Sequence, residues 1–471
     1  MKKNYLFALL MLLMVSVVCA KVKLPAYYGD HMVLQQSATI TIFGLASANE
    51  KVNVVTSWDN KKYATQSDKH GNFEVSITTP VAGGPYIIDF SDGEHLRISD
   101  VLIGELWFCS GQSNMEMPVK GFKGQPVFGA HPYIVRAKES RPIRLFTVEK
   151  SWSKNEENTL SGEWKLHSSA NVANFSAVAY FFGNLLEAQL DVPVGLINCS
   201  WSASKIQSWM DYCTLSGIVD VDLSALEAES FDYPNGMPTL LYNAMIHPFA
   251  GLAIKGMLWY QGESNTSESS VYKKLFPEFI KQYRTFFRNQ ELPVYCVQIA
   301  PWQSTDRDGF DWADFRQVQL DLFKVIPNTG MVITSDLGDE KFIHPPHKIQ
   351  VGERLAYWAL AKTYHKEGFV YSGPIYKGYE KRGVEIELNF EYGEEGLYSE
   401  QENVEGFELV DEKGNIHPAR AEIIGSTSIV KVWNTEVKNP AEVRYCYRNY
   451  SLGTLKNNAG LPAAPFRVRI D

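Results

Sequence analysis

The pattern of apolar and polar residues changes twice along the chain and so divides it into three regions. From residue 21 to about 100, alternating segments such as Thr39–Phe43 are separated by turn formers such as His70-Gly71-Asn72. Such short alternating runs predict antiparallel strands, so we expect a β-sandwich domain over 21–100. Alternation returns in segments such as Val384–Leu388, which predicts a C-terminal β-rich domain over 366–471.

The middle region, 101–365, has a different pattern, in which apolar runs alternate with longer amphipathic segments. The pattern predicts strands at 101–108, 143–148, 193–199, 253–261, 292–300 and 330–335, and helices near 176–190, 270–288, 312–325 and 348–363. Strand-helix-strand order implies right-handed parallel crossovers, because a helix packs back onto the sheet only with that hand. We therefore expect a three-layer α/β/α domain with a parallel sheet.

Composition places the chain among soluble globular proteins with several domains. It has 471 residues, of which 45% are hydrophobic and 21% charged. The formal net charge of −9 argues against a nucleic-acid partner. After the N-terminal leader we find no stretch long and apolar enough to cross a membrane, so we expect no transmembrane segment.

The N-terminus resembles a secretion signal. Lys2 and Lys3 precede the apolar stretch from Leu6 to Val18, and small residues follow where a signal peptidase cleaves. We therefore expect a signal peptide over 1–20 and an exported protein, periplasmic or extracellular. Cys19 would allow a lipoprotein anchor instead, but the bulky Val18 before it makes this alternative weaker.

The five cysteines beyond the leader give no sign of a disulfide framework or a zinc site. Their number is odd and no two form a CxxC pair; they are Cys109, Cys199, Cys213, Cys296 and Cys446. We expect no metal and no organic cofactor.

Candidate chemistry follows two of the predicted strands. Gly111-Gln112-Ser113-Asn114 comes after the strand at 101–108, and Gly262-Glu263-Ser264-Asn265 comes after the strand at 253–261. The carboxyl ends of parallel strands are where an open α/β sheet presents reactive groups to a ligand. Ser113 is therefore a candidate nucleophile and Asn265 a candidate oxyanion donor, whereas Glu263 is better interpreted as a structural carboxylate.

A serine hydroxyl needs a nearby base, and His344 is the best candidate. It lies in the loop after the strand at 330–335, which can reach Ser113 across the edge of the sheet. His347 competes with it, but its place before the final helix favours a capping role.

The identity of the acid behind the imidazole stays open at this point. Asp339 is preferred over Asp336, because the loop need fold back only one turn to bring Asp339 to the ring. Glu340 is a further candidate, and the acid could be absent. The oxyanion hole is predicted to combine the Asn265 amide, the backbone N–H of Ser113 and a donor from the turn around Ser202.

Three motifs resemble those of the SGNH (GDSL-like) hydrolases, specifically the sialate O-acetylesterase branch. They are GQSNMEMPV at 111–119, WYQGESN at 259–265 and IHP at 343–345, and they occur in the expected order. Flanking segments such as DHMVLQ at 30–35 extend the resemblance over almost the whole mature chain. It implies a secreted esterase for acetylated sialoglycans, with Ser113 as nucleophile, His344 as base and Asn265 in the oxyanion hole.

The chain departs from the family pattern at two places. Where the family has a Gly-Gly-Thr turn, this chain has Ser202-Ala203-Ser204. A backbone donor survives that change unless the turn needs a positive φ, so Ser202 is the predicted donor. The wider superfamily places aspartate three residues before the catalytic histidine, where this chain has Lys341.

Two other functions remain possible from the sequence alone. The same machinery would serve another acetylated glycan, such as acetyl-xylan, because it contacts only the acetyl group. A non-catalytic carbohydrate-binding protein is a third possibility, although the intact serine, histidine and asparagine set argues against it. Tryptophans near the predicted strand ends are candidates for stacking on sugars, although a Trp more often packs in the core; they are Trp201, Trp209, Trp302 and Trp312.

Overall fold

The computed structural model describes residues 22–304, 306 and 309–471; the predicted signal peptide lies outside them. Short strands form the N-terminal region: β1 Val33–Gln35, β2 Thr39–Leu45, β3 Lys51–Thr56, β4 Lys62–Gln66, β5 Asn72–Thr78 and β6 Gly83–Ser91. Strands β2 and β5 form one antiparallel pair, and β3 pairs with both β4 and β6. Alternate residues are buried along β5, as its apolar-polar alternation predicts.

A seven-stranded sheet forms the centre of the molecule. Its strands are β7 His95–Gly111, β8 Ile143–Val148, β9 Gly162–Leu166, β10 Val194–Ser200, β11 Gly256–Tyr260, β12 Val294–Val297 and β13 Thr329–Val332. Their order is β13-β12-β11-β7-β10-β8-β9, and all neighbours are parallel except β8 and β9. Strand β7 lies in the middle, and its last eleven residues are all buried, as expected for a strand covered on both faces.

Helices cover both faces of this sheet. The α-helices are α1 Ser113–Glu116, α2 His131–Arg136, α3 Ser169–Asn174, α4 Ala177–Leu190, α5 Tyr212–Ser216, α6 Ser269–Phe286, α7 Asp311–Val325 and α8 Lys348–Trp358. Apolar residues of α4 and α8 share one core with one face of the sheet, and those of α6 and α7 pack into a second core on the other face. The predicted α/β/α domain with a parallel sheet is confirmed.

The C-terminal region is built from antiparallel strands. They are β14 Ile375–Arg382, β15 Glu385–Glu391, β16 Leu397–Tyr398, β17 Phe407–Asp411, β18 Ile416–Pro418, β19 Arg420–Ile423, β20 Ile429–Trp433, β21 Pro440–Tyr445, β22 Lys456–Asn457 and β23 Phe466–Arg469. Two four-stranded sheets, β14-β15-β20-β19 and β18-β17-β21-β23, contribute to one core, which also includes Leu320, Met331 and Ile333 of the α/β domain. The C-terminal region therefore packs directly on the central domain.

Strand β7 runs through the boundary that the apolar and polar pattern predicts near residue 100. Its first half pairs with β6 and its second half with β10 and β11, so one strand belongs to both the N-terminal region and the central sheet. No helix among the described residues is long and apolar enough to span a membrane. All five cysteines beyond the leader are free thiols.

Candidate active site

Three strand ends meet at one point of the central sheet. In the register of the sheet, Gly111 at the end of β7 lies beside Ser200 of β10 and Tyr260 of β11. Gly111 has a φ of +145°, and a Cβ atom there would lie 2.1 Å from the carbonyl oxygen of Tyr260. Only glycine fits this close approach, and the chain then turns directly into Ser113.

Ser113 is the first residue of the short helix α1 and is 6% exposed. Neither its hydroxyl nor its backbone N–H has a hydrogen-bond partner among the described residues. The first N–H groups of a helix have no partner within the helix and are available to a ligand. Ser113 therefore presents a hydroxyl and a backbone donor at the same place.

His344 is held by an amide rather than by a carboxylate. Its Nδ1 lies 2.8 Å from Oε1 of Gln125, and its ring packs edge-on against Phe122. An amide oxygen only accepts hydrogen bonds, so Nδ1 carries the proton and Nε2 keeps a lone pair. Burial, and after it the positive charge of Lys348, lower the pKa of His344 to about 4, while the carboxylate of Glu116 acts in the opposite direction. The imidazole is therefore neutral near pH 7.

The side chain of Asn114 joins the serine turn to the histidine loop. Its Nδ2 donates to the backbone carbonyl of Ile343 at 3.1 Å, and also to Oε1 of Glu263 at 2.6 Å. Its Oδ1 accepts from Nζ of Lys348 at 2.5 Å. Since Asn114 follows Ser113 and Ile343 precedes His344, these bonds bring the two loops together.

The structure places neither predicted aspartate at the imidazole. Oδ1 of Asp339 accepts hydrogen bonds from the backbone amides of Lys341 and Phe342, so this carboxylate caps its own turn. Asp336 forms a two-point ion pair with Arg354, at 2.8 and 2.6 Å. The side chain that meets Nδ1 is Gln125, which no motif or spacing singles out.

The amide of Asn265 has other partners than an oxyanion. Its Nδ2 donates to Oε1 of Gln207 at 3.0 Å and to Oε2 of Glu268 at 3.3 Å, and its Oδ1 accepts from the backbone N–H of Ile206. The side chain is completely buried. In this structure Asn265 ties its strand-end turn to the segment that follows β10, and both hydrogens of its amide are used.

The turn around Ser202 is bound by a carboxylate. Oε2 of Glu116 accepts from the backbone N–H of Ser202 at 2.6 Å and from its hydroxyl at 2.7 Å. Glu116 also pairs with Lys150 at 2.7 Å. The predicted donor is thus engaged by an anion of the protein itself. The next residue, Ala203, has a φ of +58°, the conformation that favours glycine.

Two of the four candidate tryptophans are core residues. Trp209 and Trp312 are buried, at 0% and 4% exposure, so neither can stack on a sugar. Trp201 and Trp302 are only partly buried, and Nζ of Lys150 lies 5.8 Å from the ring centre of Trp201. Within the described part of the chain no cluster of His, Cys, Asp and Glu side chains could hold a metal ion.

Several residues of this site were missed in the sequence. Glu116 lies inside the first motif, and Lys348 lies only four residues after His344, so their positions offered a signal. Gln125 lies in an irregular loop between α1 and α2, where no periodicity indicates which side chain turns inward. Only the folded loop reveals its contact with His344.

The fold and the sequence comparisons define the class of protein. A crystal structure of a carbohydrate acetylesterase from Xanthomonas citri superposes with a TM-score of 0.86 at 33% identity, covering 95% of this chain and 99% of that one. Two curated relatives are sialate O-acetylesterases: that of Mus musculus is 26% identical, with 95% of this chain and 94% of the relative covered, and that of Homo sapiens is 27% identical, with 94% and 92% covered. The protein is a carboxylic ester hydrolase.

A family model narrows the assignment further. The model described as "Carbohydrate esterase, sialic acid-specific acetylesterase" matches residues 103–361, which is more than half of the chain and includes all three motifs. The chain belongs to this family of carbohydrate esterases.

Proposed function

We propose that this protein removes O-acetyl groups from sialic acid through an acetyl-serine intermediate. The observation that carries the proposal is that Ser113, whose hydroxyl has no partner among the described residues, lies in a turn that is joined to the loop of His344. The side chain of Asn114 makes this connection by donating to the carbonyl of Ile343, and the imidazole of His344 is neutral. A neutral imidazole is the form that accepts a proton, so this pair suits nucleophilic attack on an ester.

In the proposed mechanism, Nε2 of His344 takes the proton of Ser113 while Oγ attacks the acetyl carbonyl. Gln125 fixes the tautomer by accepting from Nδ1. When the tetrahedral intermediate collapses, the C–O bond to the sugar breaks and His344 returns the proton to the departing hydroxyl. Water then attacks the acetyl-serine by the same route, releasing acetate and restoring Ser113.

The backbone N–H of Ser113 is the donor that we assign first to the oxyanion, because it is unbonded among the described residues. Asn265 and Ser202 remain proposed donors. To bind the oxyanion, Asn265 would have to give up its bond to Gln207 or to Glu268, and Ser202 its bond to Glu116. Removal of an oxyanion donor lowers kcat by roughly 10²–10³-fold, so Asn265→Ala should lose that much if the amide is a donor. A lower free energy of unfolding with unchanged kcat would instead show that the amide is structural.

The catalytic assignment is tested by Ser113→Ala on 4-nitrophenyl acetate. We expect the variant to lose at least about 10³-fold in kcat/KM, because nucleophile and base act as a unit. Ser335→Ala is the matched control: its hydroxyl is also buried after a strand of the same sheet, but it bonds the carbonyl of Ala463. Full activity of Ser113→Ala would refute the assignment of the nucleophile, whereas a wild-type protein without esterase activity would favour the carbohydrate-binding alternative.

The substrate is tested with a 9-O-acetylated sialoside against acetyl-xylan. The names of the relatives favour the sialoside. A kcat/KM at least about tenfold higher on the sialoside, equivalent to 1.4 kcal/mol of transition-state binding, supports the proposal. The reverse preference would make the protein an esterase for another acetylated glycan.

Export is part of the same proposal, with the charged and apolar segments of residues 1–20 as its support. Expression of the full chain should give a secreted or periplasmic product that has lost these residues. N-terminal sequencing of that product tests the cleavage, and retention of the leader with a lipid on Cys19 would instead favour anchoring.

A further inference from the structure

A buried acid and a buried base lie behind the proposed catalytic pair and have no part in the mechanism above. Lys348, the first residue of α8, is completely buried, and Glu263, in the turn after β11, is 7% exposed. The side chain of Asn114 lies between them, accepting from Lys348 at 2.5 Å and donating to Glu263 at 2.6 Å. These three side chains form a continuous hydrogen-bonded chain, here called the buried relay.

The buried relay connects all three sequence motifs of the site. Asn114 follows the nucleophile in the first motif, Glu263 belongs to the second, and Lys348 lies four residues after His344 in the third. Asn114 also donates to the carbonyl of Ile343, so the buried relay holds the loop of His344 against the turn of Ser113. A loop and a turn that meet only through side chains need such a link to keep reacting atoms within the narrow range that catalysis requires.

Burying two charged groups costs free energy of desolvation, and here the hydrogen bonds of Glu263 and Lys348 do not fully offset that cost. Oε2 of Glu263 has no hydrogen-bond partner among the described residues, although it is buried. Burial raises the pKa of Glu263, and burial lowers the pKa of Lys348 to about 7. Replacing a buried ion pair by apolar groups is often neutral or stabilising, so fold stability alone does not explain why these groups are present.

The charge of Lys348 also reaches the imidazole. Gln125 and Phe122, from the loop after α1, contact His344 directly. The charge of Lys348 on α8 lowers the pKa of His344, and that of Glu116 on α1, which is itself paired with Lys150, raises it. Lys348 in turn faces Glu263, Asn114 and the ring of Tyr260, whose centre is 5.3 Å from Nζ. A positive charge near the imidazole disfavours its protonated form.

We propose that Lys348 and Glu263 are positioning residues that act through Asn114, holding the nucleophile turn and the His344 loop in their reactive arrangement. The charge of Lys348 also adds to the effect of burial, which keeps the imidazole neutral. This inference rests on the proposed function, because it assumes that Ser113 and His344 carry out the reaction. It predicts loss of kcat without loss of ester binding, since neither charge lies where the acetyl group would bind.

The experiment compares Glu263→Gln, Lys348→Met and the double variant on 4-nitrophenyl acetate across pH, with Ser113→Ala as reference. We expect each single variant to lose about 10²-fold in kcat with KM changed less than about threefold, as for a 1 Å misplacement of reacting groups. The double variant should lose no more than the worse single variant, because the relay acts as a unit. Lys348→Met should also move the acid limb of kcat/KM upward, by about one pH unit.

The matched control is Arg354→Met, which removes another buried cation from the same helix α8. Arg354 pairs with Asp336 rather than with Asn114. It should lose stability but keep its kcat and its pH profile. If Lys348→Met fails to fold because Glu263 is left unpaired, the double variant, which removes both charges, gives the same test.

Three results would overturn the inference. Single variants that keep the wild-type kcat and the wild-type acid limb of kcat/KM would show that the buried relay has only a structural role. Multiplicative losses in the double variant would show that Lys348 and Glu263 act independently. Loss of kcat in Lys348→Met with no shift of the acid limb would contradict its effect on His344. Activity retained in Ser113→Ala would instead refute the proposed function itself.

Discussion

At the scale of single residues, Gln125 sets the chemistry of the histidine. A carboxylate at Nδ1 would stabilise the imidazolium and raise its pKa, whereas an amide oxygen orients the ring without adding charge. With a neutral partner, burial and Lys348 dominate, and the pKa of His344 falls to about 4. The imidazole therefore stays unprotonated in mildly acidic solution, although a low pKa weakens its affinity for the proton that we propose it takes from Ser113.

Replacing Gln125 by Glu should reverse this balance. The new carboxylate favours protonated His344, raises its pKa above about 4 and moves the acid limb of kcat/KM to higher pH. Gln125→Leu removes the acceptor and should lower kcat/KM by about tenfold or more at every pH.

Asp339→Asn should change kcat/KM by less than about twofold, because its carboxylate caps a turn. If instead Asp339→Asn is inactive and Gln125→Leu is active, Asp339 is the triad acid.

At the scale of elements, the turn after β10 shows what a sequence pattern reveals and what it hides. The departure from Gly-Gly-Thr identified the turn as unusual, and the positive φ falls on Ala203, its second position. The sequence pattern did not predict the hydrogen bond from Ser202 to Glu116, because this bond joins turns that follow two different strands. Spacing along one element predicts its faces, but contacts between strand ends depend on the packed sheet.

Ala203→Gly should leave the free energy of unfolding unchanged or raise it by up to about 1 kcal/mol. Glycine relieves the left-handed backbone, which costs alanine roughly 1 kcal/mol, although its unfolded chain has more freedom to lose. The same substitution at Ala188, which is exposed near the end of α4, should lower the free energy of unfolding by about 1 kcal/mol. Denaturant titrations of both variants measure the contrast, and equal losses would show that Ala203 is unstrained.

At the scale of the whole molecule, the sequence predicted the layered α/β/α domain closely, because its buried strands and amphipathic helices have strong periodicity. The helix expected at 176–190, for example, is Ala177–Leu190. The packing of the C-terminal strands on that domain was not predicted. Arg316 of α7 shows why: it is completely buried and donates to the backbone carbonyls of Cys446, Arg448 and Asn449, more than a hundred positions away.

Arg316→Met should destabilise the whole molecule, because it leaves these carbonyls without their donor. We expect the free energy of unfolding to fall by about 2–4 kcal/mol, the range for several hydrogen bonds to a charged group. The control is Arg467→Met, at the same junction, which removes a half-exposed ion pair with Asp314 and should cost less than about 1 kcal/mol. Thermal unfolding followed by circular dichroism compares them, and equal midpoints would show that the buried guanidinium does not join the two regions.

Strand β7 has a consequence for synthesis on the ribosome. Its first half can pair with β6 as soon as it leaves the ribosome. Its second half can pair only after β10 and β11 have been synthesised, and these strands begin at Val194 and Gly256. Until then the buried run from Glu105 to Gly111 lacks its strand partners in the nascent chain, because β1 and β6 pair only with residues up to Gly104; such a segment is one that chaperones shield and that aggregates when unshielded. The residues that lead into the turn of Ser113 are thus among the last to be covered by neighbouring strands, so the yield of folded enzyme depends on how fast the second half of the sheet is made.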